Sequence, residues 1–391
     1  MELLPFFEPV NVDQFFHREK NINPQLLLSH IWFTEKETEP DLTNIDIAIL
    51  GVPEARYSEN NEGCSAAPDE IRKEFYKLFC WKNNVSILDM GNLILGKTIE
   101  DTFTILSDIL AFLLDQKVIP IILGGSNDLA FANYQAYAKL EKVVNIVSVD
   151  SKLDLGSEKD PISSEAYLNK IVLQQPNYLL NYSNVGYQTY LNSHEDIELM
   201  KQLFFETYRV GVMRKDMDEI EPIVRNAEML ALDISAVRQS DAPGNANASA
   251  NGFYGEEICH IALFAGLSDK LSSFGIYEYN PIHDYFTQTS QLIAHILWYF
   301  IEGFSYRQND ILFKDQDQYL RHAVPVTNAL TELVFYQSKK TGRWWIEVPF
   351  FHIKTQQDKI YFLPCSKNDF DTACKDVIPE RWWRTYHKLN R

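Results

Sequence analysis

Apolar and polar positions along this chain follow two alternating rhythms. Residues 45–51, Ile-Asp-Ile-Ala-Ile-Leu-Gly, form a short β-branched run closed by glycine, the pattern of a strand. Residues 67–72 then open a helix, with Pro68, Asp69 and Glu70 where the free N–H groups of a helix start favour them. A second strand falls at 85–88. Apolar residues at 99, 103, 106, 109, 110, 113 and 114 predict a helix over 98–114. Strand 118–123 runs into Gly124 and Gly125, followed by a helix over about 129–140. The alternation continues through strand 143–149, helix 193–204, strands 208–212 and 229–234, helix 255–267, strand 272–277 and helix 288–302. Short apolar strands alternating with helices predict a mainly parallel sheet covered on both faces, with a ligand site at the carboxyl ends of its strands.

The two ends of the chain break this rhythm. Residues 1–43 carry Pro5, Pro9, Pro24 and Pro40 with weak periodicity and read as an irregular arm. Beyond about Phe304, segments 333–336 and 344–348 flank Ser-Lys-Lys-Thr-Gly, a hairpin signal, and 350–354 with 359–363 read as a second pair. An amphipathic stretch, 369–389, carries Trp382 and Trp383. The expected division is an arm (1–43), an α/β core (44–305) and a β-rich C-terminal extension with a terminal helix (306–391).

Composition narrows the function classes. Against 36 Lys and Arg stand 54 Asp and Glu, a formal charge of −18, which argues against broad binding to nucleic acid or an anionic membrane. At 46% hydrophobic and 13% aromatic residues there is ample material for a core, so wholesale disorder is excluded. No apolar stretch approaches the ~18 residues of a membrane span. The N-terminal residues lack the basic patch and apolar run of a secretory signal. The five cysteines are scattered and never spaced as CxxC, which suits reduced thiols and not a zinc ribbon. A soluble cytoplasmic protein is expected.

Three strand ends in the core are unusually polar. They are Leu123-Gly124-Gly125-Ser126-Asn127-Asp128, Ser148-Val149-Asp150-Ser151-Lys152-Leu153-Asp154, and Leu232-Asp233-Ile234-Ser235 leading to Asp241-Ala242-Pro243-Gly244. A parallel sheet brings such ends side by side and concentrates Asp150, Asp154 and Asp233 in one crevice. Clustered carboxylates repel unless a cation neutralises them. A hard metal ion is one solution, and the ammonium of Lys152, which lies between two of the acids in sequence, is another.

The succession GGSND, DSKLD, LDISAVRQSDAPG and GIYEYNP resembles the ureohydrolases: arginase, agmatinase and formimidoylglutamase. Gly51-Val52-Pro53, Ser65 to Arg72, and the stretch from Pro243 to Tyr254 add to the match, which covers about 44–305 and leans toward formimidoylglutamases. The resemblance implies an arginase-like three-layer α/β/α sandwich and hydrolysis of a guanidinium or formimino carbon at two manganese ions. It also shows departures. The histidine of the first motif is Asn127; Asp150 and Asp154 match the acids of the second, but its histidine is Lys152; Asp233 matches the first acid of the third, but its second is Ser235. One implied metal position keeps Asn127, Asp150, Asp154 and Asp233. The other loses its ligands to Lys152, which has no lone pair when protonated, and to Ser235. No binuclear pair is therefore expected, and at most one manganese or magnesium ion. Lys152 is expected to fill the vacated position and pair with Asp150 and Asp233. Glu278 matches the family acid that receives the guanidinium.

Two functions follow as expectations. One is a ureohydrolase-fold protein with a degraded metal site that binds or scaffolds without hydrolysing. The alternative is a formimidoylglutamase-like amidine or guanidine hydrolase with a single metal ion. The expected ligand in either case is a small guanidino or formimino compound, with a homo-oligomer or a protein partner on the C-terminal extension.

Overall fold

The computed structural model describes residues 1–15, 23–156, 161–310, 316–327, 332–352 and 356–390. Among these, the strands in chain order are β1 (Phe7–Glu8), β2 (Ile31–Phe33), β3 (Ile47–Val52), β4 (Ile87–Leu93), β5 (Ile119–Gly124), β6 (Val144–Val149), β7 (Leu179–Tyr187), β8 (Glu206–Arg209), β9 (Met229–Asp233), β10 (Ser273–Tyr277), β11 (Tyr319–Val324), β12 (Leu333–Ser338), β13 (Trp344–His352) and β14 (Gln357–Cys365). The helices are α1 (Val12–Phe15), α2 (Ala67–Phe75), α3 (Ile99–Asp115), α4 (Leu129–Lys139), α5 (Tyr167–Leu173), α6 (His194–Gln202), α7 (Val210–Met213), α8 (Ile220–Arg225), α9 (Gly255–Leu267), α10 (Gln288–Ser305), α11 (Lys367–Ala373) and α12 (Glu380–Leu389).

The first ten strands form one sheet in the order β1-β4-β3-β5-β10-β9-β6-β7-β8, with β2 also beside β4. All pairings are parallel except β1 with β4. Successive side chains leave a strand on opposite faces, so a strand buried on both sides is mainly apolar and any polar residue within it must find a partner. In β3, Ile47 and Ile49 enter a core shared with α2, α9 and α10, while Ala48 and Leu50 enter another shared with α3, α4 and α6. This is the expected three-layer sandwich. Local chemistry sets its helix ends: Thr98 and Asp101 form a reciprocal capping box at the start of α3. No helix among the described residues is long and apolar enough to cross a membrane.

Several expectations are corrected. The arm is not merely irregular, because it contributes β1 and β2 to the sheet; strands of two or three residues are too short to show a period. Segment 208–212 is not one strand, since β8 ends at Arg209 and Val210 turns helical. Of 350–354, residues 350–352 continue β13, which pairs with β14 along its whole length; residues 353–355 lie outside the described residues. Stretch 369–389 is two helices: α11 ends at Ala373 in a turn where Asp376 is left-handed (φ +64°) and the Val377 N–H donates back to the Thr372 carbonyl, and α12 starts after Pro379.

The C-terminal strands make a separate antiparallel sheet, β11-β12-β13-β14, closed by α11 and α12 over a third core around Phe335, Trp344, Ile346 and Trp382. This module packs at the amino ends of the large sheet's strands. Arg225 of α8 is buried beneath the Trp345 ring, 4.5 Å away, and donates to the carbonyls of Trp344 (3.0 Å) and Cys365 (3.3 Å). Tyr361 bonds Asn226, which precedes β9.

Candidate active site

Four adjacent central strands, β5, β10, β9 and β6, deliver the site. Register places Ile276 of β10 opposite Leu123 and Leu232, and Val149 opposite Leu232. The residues just past these positions therefore emerge at one end of the sheet: Asn127 after β5, Glu278 after β10, Asp233 closing β9, and Asp150 after β6. All four are buried, as is Asp154.

The carboxylates sit close enough to perturb one another. Burial pushes Asp150 and Asp233 well above the usual carboxylate range, and each gains from a neighbour's charge, Asp154 on Asp150 and Asp150 on Asp233. Burial, with Asp233 nearby, raises Asp154 to about 8 and Glu278 to about 8. The Asn127 amide bridges two of the acids, its Nδ2 donating to Asp154 Oδ2 (2.9 Å) and Asp150 Oδ2 (3.3 Å). Asp150 Oδ1 accepts the Lys152 N–H (2.8 Å), and Asp233 Oδ1 accepts the Ser235 N–H (2.7 Å).

The structure corrects the role expected of Lys152. Its ammonium forms an ion pair with Glu165, not with Asp150 and Asp233, and the two side chains are 30% and 40% exposed. Burial lowers its pKa, but the Glu165 contact outweighs that and holds it above the ordinary value. It lies at the rim of the crevice with Glu165 and Asn247, over the buried Ser164, Asn245, Asp154, Asp233 and Glu278. The enclosed space is about 20 Å³. That admits a water or an ion; pockets for small molecules run to ~300 Å³ or more.

Glu278 is more constrained than a free receiver of cations would be. Oε1 accepts the Asn127 N–H (2.9 Å), and Oε2 accepts from Asn61 Nδ2 (2.7 Å) and the Ser58 hydroxyl (3.2 Å). Its carbonyl accepts from the Asn61 and Asn245 amides. Its φ of +64° is a left-handed conformation uncommon for a non-glycine residue and is held by this network. Sequence reasoning missed Ser58, Asn61, Glu165 and buried Asp128, which burial raises to about 7. Loop residues carry no periodicity, although Asn245 directly follows the Pro243-Gly244 already noted.

Two ions do not fit the residues present, because Lys152 and Ser235 stand where the second would need ligands. One fits by donor chemistry. Asn127 Oδ1 is buried without a hydrogen-bond partner, and a half-turn of the amide presents it beside the Asp150 and Asp154 carboxylates, which with Asp233 make an all-oxygen set suited to a hard ion. Among the described residues no three His, Cys, Asp or Glu side chains already form a metal-holding group, so an ion here would have to draw the carboxylates inward.

Comparison with known proteins identifies the family and the fold. A family model described as the arginase family matches residues 45–302. The formimidoylglutamase of Staphylococcus haemolyticus is 25% identical over 266 residues, covering 65% of this chain and 85% of that protein. That of Bacillus subtilis is 23% identical over 279 residues, covering 66% and 86%. Among solved structures, Bacillus subtilis formimidoylglutamase superposes with a TM-score of 0.66 at 18% identity, over 75% of this chain and 96% of that one. Trypanosoma cruzi formiminoglutamase, determined with Mn²⁺, gives 0.62 at 18% identity, over 68% and 96%. At such identities the structural likeness establishes the fold.

Proposed function

Because this chain belongs to the arginase family, we propose that its acidic crevice is a formimidoylglutamase-like site for hydrolysing an amidine or guanidine, working with a single divalent ion. The observation that carries this reading is the gathering of Asp150, Asp154, Asp233 and Glu278 with the partnerless Asn127 Oδ1 at the carboxyl ends of four adjacent strands. Asn127, Asp150, Asp154 and Asp233 would hold the ion. When bound, it supplies Lewis acidity and activates water for attack on the amidine carbon. The chain's own residues do the rest. The carboxylates favour a cationic, planar amidinium over a neutral amide. Glu278 fixes the Asn127 loop through its N–H, keeping the amide aimed at the acids. Lys152 and Glu165, half-exposed at the rim, part to admit the substrate.

The non-hydrolytic reading draws support from one observation: the crevice holds only about 20 Å³, and among the described residues no histidine lines it. Both readings submit to one experiment. Mn²⁺ is titrated calorimetrically into metal-stripped protein, and the loaded protein is assayed for product release from formimidoylglutamate, agmatine and arginine. The hydrolase reading expects one equivalent of Mn²⁺ and turnover of at least one substrate, abolished by Asp154→Asn. Ligand binding without turnover would leave the non-hydrolytic reading, and two equivalents would defeat the single-ion site.

A further inference from the structure

The hydrogen bonds around Glu278 converge on one side chain. We propose that Asn61 is a positioning residue of the crevice: it holds the Glu278 carboxylate as a receiver for an N–H of the amidinium and keeps it from turning onto the divalent ion. This inference rests on the hydrolase reading above and names a residue that would set its ligand preference.

Asn61 is fully buried, and its amide uses every position it has. Its Nδ2 donates to the Glu278 carbonyl (2.9 Å) and to Glu278 Oε2 (2.7 Å). Its Oδ1 accepts from Asn280 Nδ2 (2.9 Å) and from the Ala246 N–H (3.0 Å). A side-chain amide has two donor hydrogens and two acceptor lone pairs, so none is left over. The orientation is unambiguous. Asn280 Oδ1 accepts the Ile282 N–H (3.0 Å), which fixes the Asn280 amide as the donor, and a reversed Asn61 would set like against like at each contact. The main chain beneath is equally fixed: the Asn61 carbonyl accepts the Cys64 N–H (2.9 Å), opening the turn Glu62–Ala66 that leads straight into α2.

The consequence falls on Glu278. An ionised carboxylate has about four lone-pair sites. Among the described residues the Asn127 N–H takes one on Oε1, while Asn61 and the Ser58 hydroxyl take two on Oε2. What remains open is on Oε1, in the enclosed space that Glu278 shares with Asp154 and Asp233. One N–H of a planar cation fits that position. Without Asn61, the Glu278 carbonyl keeps only the Asn245 amide and Oε2 only the Ser58 hydroxyl, so the carboxylate gains freedom to join Asp154 and Asp233 on a divalent ion. A merely structural amide would behave otherwise, since its loss would loosen the crevice and weaken every ligand alike.

Calorimetry with two probes separates the cases: Mn²⁺ titrated into metal-stripped protein, and agmatine titrated into the same protein without metal. Asn61→Ala should bind Mn²⁺ about tenfold or more tightly than wild type and agmatine about tenfold or more weakly. Adding Glu278→Gln should abolish the Mn²⁺ gain and leave agmatine weak. Should Asn61→Ala fail to fold, judged by its melting curve, Ser58→Ala removes only the second donor on Oε2 and should shift both affinities in the same directions by less. Both affinities falling together, neither changing, or a Mn²⁺ gain that survives Glu278→Gln overturns the proposal. A wild type that takes up no Mn²⁺ defeats the single-ion reading instead. Agmatine binding lost in both Asn61→Ala and Glu278→Gln would then uphold Asn61 as holder of the cation receiver, and agmatine binding that is absent or indifferent to them would overturn that too.

Discussion

Replacing Lys152 measures how much of the crevice's stability rests on its rim ammonium. As an internal counter-ion among three buried acids, Lys152 would cost about 3–5 kcal/mol to remove, the figure for breaking a buried pair. Its actual partner is Glu165, and with side chains 30% and 40% exposed the pair is reached by solvent and salt. Pairs in such settings contribute about 0.2–1 kcal/mol. Lys152→Met should therefore cost no more than about 1 kcal/mol, as should Glu165→Gln, with a coupling of the same size in the double-mutant cycle. The coupling should shrink in high salt. Mn²⁺ affinity should move the other way: the ammonium adds positive potential at Asp150 and Asp154, so the methionine variant should bind the ion more tightly. Urea denaturation of the four cycle members at two salt concentrations, with Mn²⁺ calorimetry, decides the matter. A salt-insensitive coupling of about 3 kcal/mol or more, or weaker Mn²⁺ binding by Lys152→Met, would refute the reasoning.

Lys152→His alone should not create a two-metal site, because Ser235 still stands where the second ion needs a ligand; Lys152→His/Ser235→Asp, with or without Asn127→His, should bind two equivalents of Mn²⁺ by elemental analysis. Arg225→Met should destabilise the chain by about 3–5 kcal/mol in urea, since the Trp344 and Cys365 carbonyls lose their buried donor, while Mn²⁺ affinity at the opposite end of the sheet stays unchanged. Lys388, on α12, donates to Asn181 with its nitrogen 4.8 Å from the Phe205 ring, and burial lowers its pKa to about 8, Arg384 adding to this and Glu206 opposing it. Between pH 8 and the ordinary lysine value of about 10.4 the unfolded chain binds a proton the folded one does not, so stability rises with pH across that window, by on the order of 3 kcal/mol. Melting curves from pH 7 to 10.5 should show the rise in wild type and its loss in Lys388→Met.

The central strands were legible because burial on both faces favours apolar runs, continuous in β3 and β5 and nearly so in β6 and β9. The same rule hid β7, where Asn181, Ser183 and Asn184 interrupt the run. Tertiary partners satisfy those residues: Ser183 donates to Glu206, and the Asn184 amide donates to the Lys152 carbonyl while its oxygen accepts the Tyr187 N–H. No local pattern announces such bonds. The candidate site divides the same way. Asn127, Asp150, Asp233 and Glu278 each close or follow an apolar strand, and a parallel sheet can only bring such ends together. Glu165, Ser58 and Asn61 come from loops whose paths depend on what they meet, so the partner of Lys152 could not be read in advance. The family resemblance suggested Asp150 and Asp233, and space chose Glu165.

That choice gives the crevice two mechanically different halves. Its floor is tied by directed bonds between separate segments: Glu278 joins the loops holding Ser58 and Asn61 to the Asn127 loop, and its carbonyl adds Asn245. Breaking any one of these bonds leaves a buried polar group unsatisfied, at a cost of about 1–3 kcal/mol, so the floor stays set. The rim is closed by the Lys152–Glu165 pair, which contributes at most about 1 kcal/mol. An enclosed space of about 20 Å³ is therefore no barrier in itself to an amidine-sized ligand. Entry requires parting a solvent-screened pair and shifting the loop side chains beside it, while the acids that would receive the cationic end remain where the strands put them. A ligand that recovers even one charge-assisted hydrogen bond on the floor more than offsets the cost of opening the rim.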